Sequence, residues 1–108
     1  MTSIHQLSPA AAEALVWLRA RAAAHADLRL DSREIVAGDV FVACPGGSVD
    51  GRDYIEQAFE LGASTVLCEA PAPVRVQHDA RVHVVPALRT LLGELADDWY
   101  GQPSAALS

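Results

Sequence analysis

Val40–Cys44 reads Val-Phe-Val-Ala-Cys, an unbroken apolar run between two turn signals. Ala37-Gly38-Asp39 precedes it and Pro45-Gly46-Gly47-Ser48 follows. Such a run is too short for a typical helix and long enough for a strand buried on both faces. Thr65–Cys68 and Val82–Val85 repeat the pattern. Leu28, Leu30 and Ser32 alternate with Arg29, Asp31 and Arg33, which predicts a half-buried strand over Leu28–Ser32. Val74–Val76 is expected to add a short edge strand. Buried strands need cover, so these runs ask for helices packed on a sheet.

The helices are marked by caps and period. Ser8-Pro9 is a helix start, with Ser8 as N-cap and Pro9 in the first turn. The helix it opens is expected from Ala10 to about Ala24, with Ala11, Leu15, Leu18 and Ala22 on one face and Trp17 at its edge. Asp53, with Glu56 three residues on, predicts a capped helix carrying Ile55, Ala58 and Phe59 inward. Gly62 fits its left-handed end. Pro86 is expected to stop the last strand and open a final helix, where Leu88, Leu91, Leu92, Leu95 and Trp99 keep the helical period. The order is helix, strand, strand, helix, strand, strand, helix. That predicts an α/β fold: a small, mostly parallel or mixed sheet with packed helices.

The chain has 108 residues, one domain's worth. Its net charge is -6 and its eight basic residues are all arginine. This argues against nucleic-acid binding, which needs a basic footprint. No apolar stretch reaches the ~20 residues of a membrane span, and no secretory signal is expected at the N-terminus. Cys44 and Cys68 each end an apolar run and are expected as buried, reduced thiols. His5, His25, His78 and His83 are scattered, so no metal site is expected. The absence of lysine rules out a Walker-type phosphate loop in this chain.

Two short stretches carry the ligand chemistry. Pro45-Gly46-Gly47-Ser48 places backbone amides and a hydroxyl at a strand's carboxyl end, where open α/β sheets bind ligands. It reads equally as a plain turn. Asp31-Ser32-Arg33 is a solvated strand end, or a hydroxyl and a guanidinium that reach an anion. Asp50 can cap the Gly51-Arg52 turn or the helix after it, and Asp39 its own turn.

Taken together, these residues resemble a known family. Leu30-Asp31-Ser32-Arg33, Gly38-Asp39-Val40-Phe41-Val42-Ala43, Asp50-Gly51-Arg52-Asp53-Tyr54-Ile55 and Val66-Leu67-Cys68-Glu69 are similar to the N-terminal domain of the Mur ligases. Asp31-Ser32-Arg33 and Asp50-Gly51-Arg52 are most similar to the member that extends UDP-N-acetylmuramoyl-L-alanyl-D-glutamate with a diamino acid. The resemblance implies a Mur ligase N-terminal domain-like fold over residues 1–108, anchoring the UDP moiety of that dipeptide substrate. It implies contacts from Leu30, Ser32, Gly47, Ser48 and Val49, with Asp31, Arg33, Gly46 and Asp50 as supporting positions. It assigns no catalytic residue to this chain. ATP and Mg2+, and either meso-diaminopimelate or L-lysine, would be handled by central and C-terminal domains of a longer cytoplasmic enzyme. The chain alone is therefore expected to be inactive. The D-alanyl-D-alanine-adding ligase of the same family, and a standalone interaction module of this fold, remain the competing readings.

Overall fold

A computed structural model describes residues 8–23, 25–46 and 48–100. Helix α1 spans Pro9–Arg21 and strand β1 Leu28–Arg29. Strand β2, Val40–Ala43, leads to helix α2, Ile55–Leu61, and strand β3, Thr65–Glu69. Strand β4, Val82–Val85, precedes helix α3, Leu88–Trp99. The four strands lie in chain order in one sheet, every neighbouring pair parallel. The sheet is thus wholly parallel, within the expected class. No helix among the described residues is long and apolar enough to cross a membrane.

Sequential parallel strands with crossovers of one hand put every connection on the same side of the sheet. Ile35, Ile55, Ala58 and Val76, from the three connections, pack with Phe41, Ala43, Val66 and Cys68 on one face. The other face carries Val40, Val42, Leu67 and Val85 under α1 and α3, through Ala14, Leu15, Leu18, Leu88 and Leu95. β2 and β3 are buried along their whole length. Each fully buried side chain of the size of Phe41 or Leu67 contributes about 1.5–3 kcal/mol relative to exposure.

Ser8 caps α1 as expected, its hydroxyl accepting from the Ala11 amide, with Pro9 in the first turn. The helix stops at Arg21, short of Ala24. Gly62 ends α2 at φ 116°, where an added Cβ would also lie 2.8 Å from Ala37 Cα. Several local expectations fail, and polar capping explains two of the failures. The strand predicted over Leu28–Ser32 ends at Arg29, because the Asp31 carboxylate accepts from the Arg33 amide and starts a 3₁₀ turn at Ser32–Glu34. Asp53 does not cap α2. Asp50 opens the turn earlier, over Gly51–Tyr54, and α2 follows with no side-chain cap. Val74–Val76 is a 3₁₀ turn rather than an edge strand. The strand expected through Cys44 ends at Ala43.

Pro86 does not open α3. Ala87 turns left-handed at φ 53° and the helix begins at Leu88, with no cap from its own segment. Glu69, at the end of β3 and only 5% exposed, supplies one instead. Its Oε1 accepts from the Arg89 amide at 2.9 Å and from Arg89 Nε at 3.1 Å. A carboxylate at a helix N-terminus satisfies a free amide and opposes the helix dipole favourably. Glu69→Ala should therefore cost about 1–2 kcal/mol of stability. A urea midpoint that does not move would show that α3 needs no cap from the sheet.

His83 packs against α1, its ring 5.2 Å from Trp17 at an interplanar angle of 24°. Burial holds the His83 imidazole below its ordinary value of 6.5; Glu13 pulls upward and Arg21 adds to the lowering. The unfolded chain then takes up this proton before the folded one. Its contribution is complete above the unfolded value and is lost as pH falls toward the folded one. His83→Gln should flatten the fall in stability as pH drops below the ordinary value of 6.5, read from denaturation midpoints. An unchanged slope would locate that fall elsewhere.

Candidate functional site

At the carboxyl edge of the sheet the loops leaving β1 and β2 meet residues of α2 and α3. There the segments after β1 and β2 enclose an open cleft of about 660 Å³. Small-molecule sites commonly occupy about 300–1,000 Å³ and favour this edge of an open α/β sheet. Leu30, Phe41, Val49, Tyr54 and Leu92 give it apolar walls, and Ser32, Gln57, Arg33 and Arg89 bring polar groups to it.

The first wall begins where β1 stops. Asp31 Oδ1 accepts from the Arg33 amide, and its Oδ2 meets the Arg33 guanidinium at 2.8 Å. The Arg33 side chain and then its amide hold the Asp31 carboxyl down to about 2. This turn leaves Leu30 58% exposed over the cleft while Ser32 is drawn in to 7%. The Ser32 hydroxyl donates to Gln57 Oε1 at 3.2 Å, across from the 3₁₀ turn to α2.

Asp39 fixes the far end of the same excursion. Its carboxylate accepts from the Asp27 and Val36 amides and from Arg29 Nε. Burial alone would push its carboxyl up, but the Val36 amide, Arg29 and the Asp27 amide outweigh that, leaving it below the usual range. The excursion between β1 and β2 is therefore pinned at both ends.

The second wall is a small hairpin. Gly46 N donates to Val49 O at 2.8 Å and Gly51 N to Cys44 O at 2.9 Å, with Pro45 and Asp50 bridged between them. A Cβ on Gly46 would lie 2.6 Å from Val49 O, and one on Gly51 2.9 Å from Cys44 O. Both contacts are with backbone, so neither position has room for a side chain. Asp50 pairs with Arg52, which donates to Asp50 from its amide, Nε and Nη2.

Of the residues singled out in the sequence, Leu30, Asp31, Ser32, Arg33, Gly46 and Val49 converge on the cleft. Ser48 is exposed and lies outside its lining, as does Asp50, which is held by Arg52. Gly47 falls outside the described residues. Pro45, from the Pro45–Ser48 stretch, is in the lining too, and Phe41, Cys44, Gly51, Tyr54, Gln57, Arg89 and Leu92 join it without having been singled out as site residues. Arg89 and Leu92 come from α3, and nothing local in the sequence brings that helix to the loop after β1.

Cys44 corrects an expectation. It is partly exposed on the cleft wall, whereas Cys68 is buried. Burial, with Glu69 nearby, pushes the Cys44 thiol up to about 11, and burial pushes Cys68 to about 11 as well. Roughly one thiol in a thousand is then thiolate at pH 8. Both should label slowly with a polar thiol reagent, Cys44 well before Cys68. Equal rates, followed by mass spectrometry, would contradict an open cleft beside Cys44.

Comparison with known proteins agrees with this architecture. Residues 25–100 match the family described as "Mur ligase family, catalytic domain". The chain is 47% identical over 98 residues to the UDP-N-acetylmuramoyl-L-alanyl-D-glutamate–2,6-diaminopimelate ligase of Ralstonia nicotianae, covering 85% of this chain and 19% of that protein. It is 42% identical over 80 residues to the ligase of the same name from Geobacillus thermodenitrificans, covering 74% of this chain and 16% of the relative. The crystal structure of a MurF ligase from Thermotoga maritima in complex with ADP superposes with a TM-score of 0.58 at 32% identity, covering 69% of this chain and 17% of that one. The chain thus spans less than a fifth of the length of the first relative. With the family matched over residues 25–100 and the parallel sheet in place, the chain belongs to the Mur ligase family.

Proposed function

We propose that residues 1–108 form the substrate-anchoring N-terminal domain of a longer, ATP-dependent amide ligase of peptidoglycan precursor synthesis. This domain holds the UDP end of UDP-N-acetylmuramoyl-L-alanyl-D-glutamate. Elsewhere in the enzyme the D-glutamate carboxylate is phosphorylated, and the amine of a diamino acid, meso-diaminopimelate or L-lysine, displaces the phosphate to form the amide. The chain's own part is remote binding energy and orientation. ATP and Mg2+ belong to the other regions of that enzyme. This chain has no lysine for a phosphate loop. Among its described residues no three His, Cys, Asp or Glu side chains gather as a metal site. The reaction's need for ATP assigns the enzyme to the cytoplasm.

The observation that carries this reading is the convergence of Leu30, Ser32 and Val49 on one cleft at the sheet's carboxyl edge. Those are positions at which the resemblance implies UDP contacts. The names of the Ralstonia and Geobacillus relatives favour a diaminopimelate-adding enzyme over the D-alanyl-D-alanine-adding ligase and over a standalone module.

Titration of the labelled 108-residue chain with UDP-N-acetylmuramic acid tests it. A single domain makes few of the enzyme's contacts yet bears the rigid-body cost of association, so the dissociation constant should be about millimolar, near -4 kcal/mol. Amide shifts should concentrate at residues 30–33 and 46–49, and inorganic phosphate should compete poorly. Shifts that miss both segments at high ligand concentration would overturn the anchoring role.

A further inference from the structure

Three turns of this chain repeat one unit, an Asp followed two residues later by an Arg. At Asp31 and Arg33, Asp50 and Arg52, and Asp79 and Arg81, the carboxylate accepts from the amide, Nε and Nη2 of the arginine. The three arginines differ in what else they reach. The Arg33 side chain is 82% exposed and bonds only to Asp31 among the described residues. That of Arg81 is 57% exposed and lies over the Phe59 ring. That of Arg52 is 18% exposed, and its Nη1 donates to the Pro71 carbonyl at 3.2 Å, in the loop that leaves β3. The same loop reaches back: Arg75 Nη2 donates to Arg52 O at 3.3 Å, while Arg75 Nε meets Glu56 of α2 at 2.8 Å.

What Arg52 holds is the second wall of the cleft. The described residues of 45–50 bond to one another and to the 3₁₀ turn that follows them, and to no strand or α-helix. Gly46 and Val49 line the cleft from this hairpin, whereas Arg52 does not. We infer that Arg52 is a positioning residue of the cleft: its guanidinium ties Asp50 to the loop after β3, and so fixes how the Gly46–Val49 wall stands over a bound ligand. For the ligand this rests on the anchoring function proposed above. The loop is itself held, with Ala70 N donating to Val85 O and Gln77 Nε2 to Ala72 O. The tie uses arginine's shape as well as its charge. A planar fork presents two nitrogens to a carboxylate and a third to a carbonyl, whereas an ammonium is a single point. Losing the tie leaves the hairpin's own backbone bonds in place, so the wall loosens without unfolding the chain.

Two measurements on the 108-residue chain test this. The first needs no ligand. Gly46 and Gly51 donate the amides that close the hairpin, and the Val40 amide, bonded to Asp27 O, serves as the reference for global stability. In Arg52→Ala, hydrogen exchange at Gly46 and Gly51 should quicken about tenfold relative to Val40. Arg81→Ala removes the same Asp–Arg unit away from the cleft and should leave that ratio unchanged. The second is titration with UDP-N-acetylmuramic acid, which Arg52→Ala should bind about three- to tenfold more weakly. Arg52→Lys keeps the charge and should restore little of either effect; it also carries the test should Arg52→Ala not fold. An unchanged exchange ratio in the folded variant would overturn the positioning role, whether or not the ligand binds. Faster exchange with unaltered affinity would overturn it too and leave the anchoring function intact. Full recovery in Arg52→Lys would show that charge alone is enough and overturn the bridge. Failure of the parent chain to bind would overturn the anchoring function, and the exchange ratio then decides the tie by itself.

Discussion

Burial of β2 on both faces is the constraint from which the rest of the structure follows. Val40 and Val42 face α1 and α3, while Phe41 and Ala43 face the connections. A strand so enclosed must have layers above and below it. With all strands parallel and adjacent in sequence, crossovers of one hand supply only one layer. The second layer must come from segments outside the crossovers, and α1 and α3 are those segments. Polar bonds hold both ends of α1 to α3, from Ser8 to Glu94 and from Arg19 to Asp98. The Trp99 indole also donates to Ala26 O. Helices that cover faces leave the strand ends free. The cleft opens at the carboxyl end, where Gln57 of α2 and Arg89 and Leu92 of α3 join the loops in lining it.

Carboxylates then decide how the loops around that cleft turn. Asp31, Asp39, Asp50 and Glu69 each accept from a backbone amide, and each also meets an arginine. One side chain thus caps a turn and neutralises a guanidinium together. The consequence for the cleft is electrostatic. Arg33 and Arg89 line it, but Asp31 and Glu69 already engage them. A ligand meets little uncompensated positive charge there, and exposed ion pairs of this kind are screened by salt. Affinity must then come largely from the apolar walls and from neutral hydrogen bonds.

The same carboxylates mark where sequence reading succeeded and where it stopped. The apolar runs announced β2, β3 and β4 because burial on both faces leaves an unbroken apolar signature. Ser8, Pro9 and Gly62 announced helix ends because their chemistry is local. Alternation of Leu28, Leu30 and Ser32 promised a longer β1, yet Asp31 turns the chain at the third residue. Alternation reports which side chains want burial, and a local hydrogen bond from an Asp to the backbone can overrule it. Val74–Val76 was misread because three residues carry no usable period. The loop after β2 was legible as a loop, whereas Leu30 and Ser32 were read as strand; all of Leu30, Ser32, Gly46 and Val49 were named through the family resemblance. Gln57, Arg89 and Leu92 were not, since they reach the cleft only after α2 and α3 have packed.

The two walls differ in how they are made rigid, and this bears on what each can do for a ligand. The Gly46–Val49 hairpin is closed by backbone bonds alone, with no space for a Cβ at Gly46 or Gly51. Its closing bonds, and the contacts that exclude a Cβ, are all main chain. The opposite wall holds a nearly buried hydroxyl against an amide side chain. Ser32 is nearly buried while Gln57 is exposed, so this bond ties a shielded hydroxyl to a side chain at the rim of the cleft. The cleft thus joins one wall tied by a side-chain hydrogen bond to one closed by its backbone.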